Sequence, residues 1–208
     1  GAESLGTPEG FVGYAFFGYI LLILSVFAVI AGLNVSANEE EQGIMDMQLS
    51  LPVARWRVIT EKLLAYMLMA VVIVVLGFVG LLIGDAVAPG EVEVSVSRYI
   101  EGSLNILPGT LFVMTLTAFL GTLVRRRSTA MAIAGAYVAG AYMLDAVANA
   151  ANSDITEALR QVSVFSRYEG TSVLQTGLVA GNVLPLLALA TLLALGANWL
   201  FQRRDIAV

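Results

Sequence analysis

The sequence predicts an all-α integral membrane protein, a bundle of about five transmembrane helices. Three observations predict it: 58% of the 208 residues are hydrophobic and 13% charged, five apolar runs are long enough to cross a bilayer, and the basic residues fall on alternate connections. Soluble domains carry roughly a quarter charged residues, so a chain with a mean hydropathy of +0.84 must turn its apolar residues to lipid.

Crossing roughly 30 Å of hydrocarbon at 1.5 Å per residue takes about 20 apolar residues. The runs that qualify are 11–35, 63–84, 104–124, 129–148 and 178–201, none with a charge in its middle. Orientation follows from the rule that short loops rich in Lys and Arg stay in the cytoplasm. With the 36–62 loop inside, alternation places Arg55, Arg57, Lys62, Arg125, Arg126, Arg127, Arg203 and Arg204 inside, and only Arg98, Arg160 and Arg167 outside. The outer segments carry Glu3, Glu9, Glu91, Glu93, Glu101, Asp154, Glu157 and Glu169. The N-terminal tail is then external, the C-terminus is cytoplasmic, and the bundle sits in the cell membrane. Trp199 and Phe201 before Arg203 and Arg204 form the aromatic-then-basic order expected where a helix leaves the bilayer.

In the fourth run Ala132, Ala136 and Gly140 are four apart, so one face permits close approach of another helix, for packing within the bundle or as a seam between subunits. The 149–176 segment is too polar to span. In it Asp154 and Glu157 have cap spacing, and Ile155, Ala158, Leu159 and Val162 share a face, which predicts a short amphipathic helix on the outer surface. The 91–96 stretch alternates Glu or Ser with Val, a small strand or an extended loop.

Several classes of chemistry are excluded. The chain has no Cys and no His, which removes thiolate chemistry, disulfides, His-ligated haem and the commonest zinc sites. With 16 Asp and Glu against 11 Lys and Arg and no basic tract, it offers nucleic acid no surface for counterion release. Asp85 and Asp145 lie at the outer ends of spans, where a solvated carboxylate is the plain reading, so no proton or sodium relay crosses the bundle. Ser and Thr lack a His base, and no Walker-type loop occurs. Active transport would therefore draw its energy from another polypeptide. Asn182 and Pro185 could loosen the last span and line a pathway, since proline frees a backbone carbonyl, or they could mark a packing kink. The opening GAESLGTPEG has no initiator Met and no basic n-region, so it does not read as a signal peptide.

The longest cytoplasmic connection reads SANEEEQGIMDMQLSLPVARWRVITEKLLA. Its acidic cluster is followed by Ile44, Met47 and Leu51 at helical spacing, then by Pro52 and the Arg55, Trp56, Arg57 triplet. Such a segment lies along the membrane surface, either as a solvated linker or as a docking site for a partner. Its Glu39, Gly43, Leu49, Pro52, Arg55 and Lys62, the later RRRSTAMAIAGAY, and the closing FQRRDI give the chain a pattern that resembles the permease subunits of type-two ATP-binding cassette exporters.

The resemblance implies a permease that pairs with a second permease subunit, as homodimer or heterodimer, to form the pathway. Each would dock a separate ATP-binding cassette ATPase, and ATP and Mg would be bound there rather than in this chain. The coupling element would be Glu39, Glu40, Glu41, Gly43, Ile44 and Met47, followed by Arg55. The polar stretch before the last span would form re-entrant helices on the outer side. The family pattern has six spans, so the chain is expected to lack the first of them. A membrane scaffold or accessory subunit of a larger complex is the competing expectation.

Overall fold

A computed structural model of the chain describes residues 8–38, 54–87, 94–124, 126–150, 163–170 and 172–203, and every element among them is a helix. The first span joins α1 (Pro8–Val12), a π-helical turn (Gly13–Phe17) and α2 (Gly18–Val35). After it come α3 (Arg55–Val87), α4 (Val96–Val124), α5 (Arg127–Ala150), the short α6 (Val164–Tyr168) and α7 (Val173–Thr176), and α8 (Ala180–Gln202). Among the described residues five helices are long and apolar enough to cross a membrane, as the sequence predicts.

Two helices begin well before their apolar runs. α3 starts at Arg55 rather than at residue 63, and its first turns carry an Arg57–Glu61 ion pair of 2.7 Å at i, i+4 spacing. α4 starts at Val96, the last residue of the 91–96 stretch and eight before the apolar run at 104, with Arg98 bonded to Glu101 at 3.1 Å. Hydropathy marks only the part of a helix that suits lipid. Once nucleated, the helix continues wherever charged pairs one turn apart support it.

The spans pack around α4, which touches each of the others. Its membrane-length window is 67% buried, whereas that of α3, the most apolar span, is 11% buried. In lipid there is no hydrophobic drive between helices, so small residues that allow close approach decide which helix becomes central. α4 supplies them where it runs parallel to α2. Phe17 lies against Gly102, Leu21 against Gly109, and Ser36 and Ala37 against Gly121. Gly32 completes the seam from the other side: a methyl group there would lie 2.5 Å from the Met114 carbonyl oxygen and 2.7 Å from Thr117 Cβ.

The buried hydroxyls of α4 are satisfied within the helix. Thr110, Thr115 and Thr117 donate to the carbonyls of Ile106, Leu111 and Val113 at 3.0, 2.9 and 2.8 Å. Large apolar residues of α3, including Leu64, Leu68, Leu76 and Ile83, point outward to where lipid would be. At the basic end Val35, Ile59, Leu63, Ala118 and Phe201 form a second cluster, and Asn198 Nδ2 donates to Thr60 Oγ1 at 2.8 Å.

Two sequence expectations change. The Ala132, Ala136, Gly140 stripe faces outward, with nothing within 4 Å of where a Gly140 side chain would begin, so it does not pack inside this bundle. The face of α5 that turns inward is Ala130, Ala134, Val138 and Ala141. Both faces are small, so spacing alone could not choose between them. Phe201 is buried in the second cluster, leaving exposed Trp199, with the Arg203 guanidinium 4.1 Å over its ring, as the interfacial anchor.

The tight seam sets a mutational contrast. Gly32→Ala should destabilise the bundle by about 1–3 kcal/mol through overpacking, because the obstructing atoms are backbone and a β-carbon rather than a flexible tip. Gly84→Ala, with open space around it, should be neutral or mildly stabilising. Thermal unfolding in detergent compares them, and equal midpoints would refute the seam.

Candidate functional site

The helix ends opposite the basic residues are covered by the 163–179 segment, which is built from capping chemistry. Ser163 is the N-cap of α6: its Oγ accepts from the amides of Phe165 and Ser166 at 3.2 and 3.5 Å. The same hydroxyl donates to the Ala141 carbonyl at 2.9 Å, fixing α6 to α5. Ser166 Oγ donates to Asp145 at 2.9 Å. α6 ends where Glu169 takes a left-handed conformation at φ 47°, its amide bonded to the Phe165 carbonyl.

The apolar side chains of this cap point into the bundle. Val164, Phe165, Tyr168, Val173 and Leu174 are buried in the main core, with the Phe165 ring edge-on to Tyr142 at 5.5 Å. Val164 reaches as far as Gly109. Polar side chains then tie the cap to α4. Asn105 Nδ2 donates to the Tyr168 carbonyl at 2.6 Å. The Glu101 carboxylate accepts from Arg98 at 3.1 Å and from the Leu178 amide at 3.2 Å, beside Gly177 with its φ of 77°. Tyr99 donates to Asp85 at 3.2 Å and so joins α3 to α4. Asp85 and Asp145 are thus half-buried hydrogen-bond acceptors rather than simply solvated ends.

Between cap and bundle lies a small niche of about 10 Å³ lined by Asn105, Arg167, Tyr168, Glu169, Thr176 and Asn182 among others, with room for a single water. Tyr168 is 3% exposed, and its hydroxyl has no partner among the described residues. Burial pushes this phenol well above its ordinary pKa, so it stays protonated and serves as packing. Among the described residues no three carboxylates come together to hold a metal ion.

The residues singled out from sequence are scattered by the fold. Glu39, Glu40, Glu41, Gly43, Ile44 and Met47 lie outside the described residues, as does the predicted amphipathic helix around Asp154. Arg55 is the first residue of α3. Asn182 lines the niche, and α8 runs unbroken through Pro185. Ala136 and Gly140 lie on the outer face of α5. Sequence reasoning placed Glu101 only among the outer acids and passed over Asn105, and both bond to the cap. An amide just inside an apolar run was the available signal, since such a group needs a partner there.

Among the described residues the fold is a bundle of apolar spans closed at one end by short helices. A family model described as the C-terminal domain of the multidrug efflux system permease Rv1217c matches residues 3–202. The chain belongs to that family. No curated protein and no solved structure matches it. Membership makes the chain a multi-pass membrane protein of the permease class.

In this permease-family chain the cap bonds can be tested separately. Asn105→Leu removes the donor to the Tyr168 carbonyl and should cost about 1–3 kcal/mol, with faster proteolysis inside 163–177. Tyr168→Phe removes a hydroxyl without a partner and should leave the unfolding midpoint unchanged or raise it. A large loss of stability in the phenylalanine variant would show that the hydroxyl is bonded.

Proposed function

We propose that this chain is the permease subunit of an ATP-binding cassette exporter, pairing with a second permease subunit and driven by separate ATPase chains that bind ATP and Mg. The observation that carries the reading is the family match across residues 3–202, onto a chain with five membrane-length helices. The family's description names a multidrug efflux permease, and carried to this chain it gives export of apolar or amphipathic compounds.

The orientation follows from charge. Arg57, Lys62, Arg126, Arg127 and Arg203 belong to one end of the bundle, and Asp85, Glu101, Asp145 and Glu169 to the other, so the basic end is cytoplasmic. The 39–53 connection is then on the cytoplasmic side, and Glu39 to Met47 couples ATP binding to the spans. The outward small-residue face of α5 supplies a seam for the second subunit. The cap is the outer re-entrant element. Val164 against Gly109 lies about 8 Å beyond the level of residue 104, taking five residues at 1.5 Å rise.

Two experiments test this. A Cys placed at Ser128 should be inert to a membrane-impermeant thiol reagent added outside cells and reactive after permeabilisation. Labelling from outside would invert the topology. Glu40→Lys combined with Glu41→Lys should leave the bundle inserted while weakening ATPase binding by a few kcal/mol, roughly tenfold for each 1.4 kcal/mol. Substrate-stimulated ATP hydrolysis and pull-down of the ATPase are the readouts. Wild-type values in both, for this pair and for Ile44→Asp, would mean that the loop is a solvated linker.

A further inference from the structure

The two most buried spans carry their backbone irregularities at neighbouring levels. In α4 the defect is Pro108, which is buried and has no N–H to give the Leu104 carbonyl, so the helix loses one rung there. In the first span it is the π-helical turn, where the Gly18 amide bonds five residues back to Gly13. The widened turn lets Tyr19 reach Tyr14, hydroxyl to hydroxyl at 3.2 Å and ring edge to ring face at 5.8 Å. Phe17, closing that turn, lies on Gly102, and Leu21 lies on Gly109. Gly102 and Pro108 are six residues apart, so the π-turn sits about 9 Å, nearly two helical turns, to the cap side of the proline.

Pro108 lies between two differently built blocks, and the π-turn lies within the first of them. Toward the cap, α4 is held by directional hydrogen bonds: Tyr99 to Asp85, Glu101 to the Leu178 amide, Asn105 to the Tyr168 carbonyl. Toward the basic end it is held by close packing: Gly32 on Met114, Gly121 on Ser36, and Ala118 within the cluster of Val35, Ile59, Leu63 and Phe201. Below the π-turn, α2 runs as α-helix to Val35. One apolar cluster that includes Phe17, Leu21, Ile106, Met114 and Val164 runs through both blocks, and the backbone ladder of α4 is weakest at Pro108.

We infer that Pro108 of α4 is a hinge about which the cap block tilts against the glycine-packed block, with the Gly13–Phe17 turn of the first span as a second yielding point on its cap side. Resting on the permease reading, the hinge turns movement imposed at the basic end into opening of the cap. Pro108 is a positioning residue that touches no cargo.

The test uses the full chain in lipid nanodiscs, with Pro108→Ala as the variant, because alanine restores the missing N–H and is compatible with a helix interior. Amide exchange should be faster in 104–112 than in 113–124, and Pro108→Ala should slow it roughly fivefold, the worth of one net backbone hydrogen bond. Spin labels at the exposed Val96 and Leu123 should give a distance distribution that narrows in the variant. In the reconstituted complex with its ATPase, Pro108→Ala should lower transport several-fold while leaving ATPase pull-down unchanged. Gly84→Ala is the control for substitution in a span. Unchanged exchange and distances overturn the hinge whatever the chain transports, and so does wild-type transport despite slowed exchange. If exchange and distances change as expected but the wild-type chain neither binds an ATPase nor transports, the hinge stands and the permease reading falls.

Discussion

Close approach of the first span to α4 is the constraint on which the rest of the bundle depends. With Gly32 set against the Met114 carbonyl and Gly102 and Gly109 receiving Phe17 and Leu21, two backbones come together along most of a membrane thickness. Water cannot drive such association inside a bilayer, since a lipid tail is as apolar as leucine. The gain comes from dispersion contacts that glycine alone makes accessible. Everything else is arranged around that pair: α8 and α3 on other sides of α4, α5 against both helices, and the cap over their common end.

The arrangement explains why the most apolar helix is the least buried. α3 turns leucine, valine and isoleucine outward, where they meet acyl chains without loss. α4 turns glycine, threonine and asparagine inward, and its hydroxyls bond their own helix. Polar content that would be costly toward lipid is placed where neighbours can satisfy it.

The two ends are held by different physics. Directional bonds from Glu101, Asn105, Ser163 and Ser166 fix the cap, and such bonds specify its geometry. Glycine packing and the Phe201 cluster fix the basic end, where a shift of an ångström would produce a clash.

Composition and hydropathy period by themselves determined the five spans, their order and the charge asymmetry between the ends, because each depends on what a residue prefers as solvent and not on its neighbours. Resemblance of the 39–62 pattern and the closing FQRRDI pointed to permeases, and the family match over residues 3–202 agrees. Tertiary structure decided which small residues are used. The Ala132, Ala136, Gly140 stripe and the Gly102, Gly109 pair look alike in sequence, yet only the second is buried, because only there does a partner bring Phe17 and Leu21 to fill the gap. It likewise decided that Phe201 is core and Trp199 interface, and that Asn105 meets the Tyr168 carbonyl, a pairing across 63 residues that no local pattern records. Solvent preference is a property of each residue, whereas complementarity is a property of two surfaces, and that is where the sequence, read alone, stops.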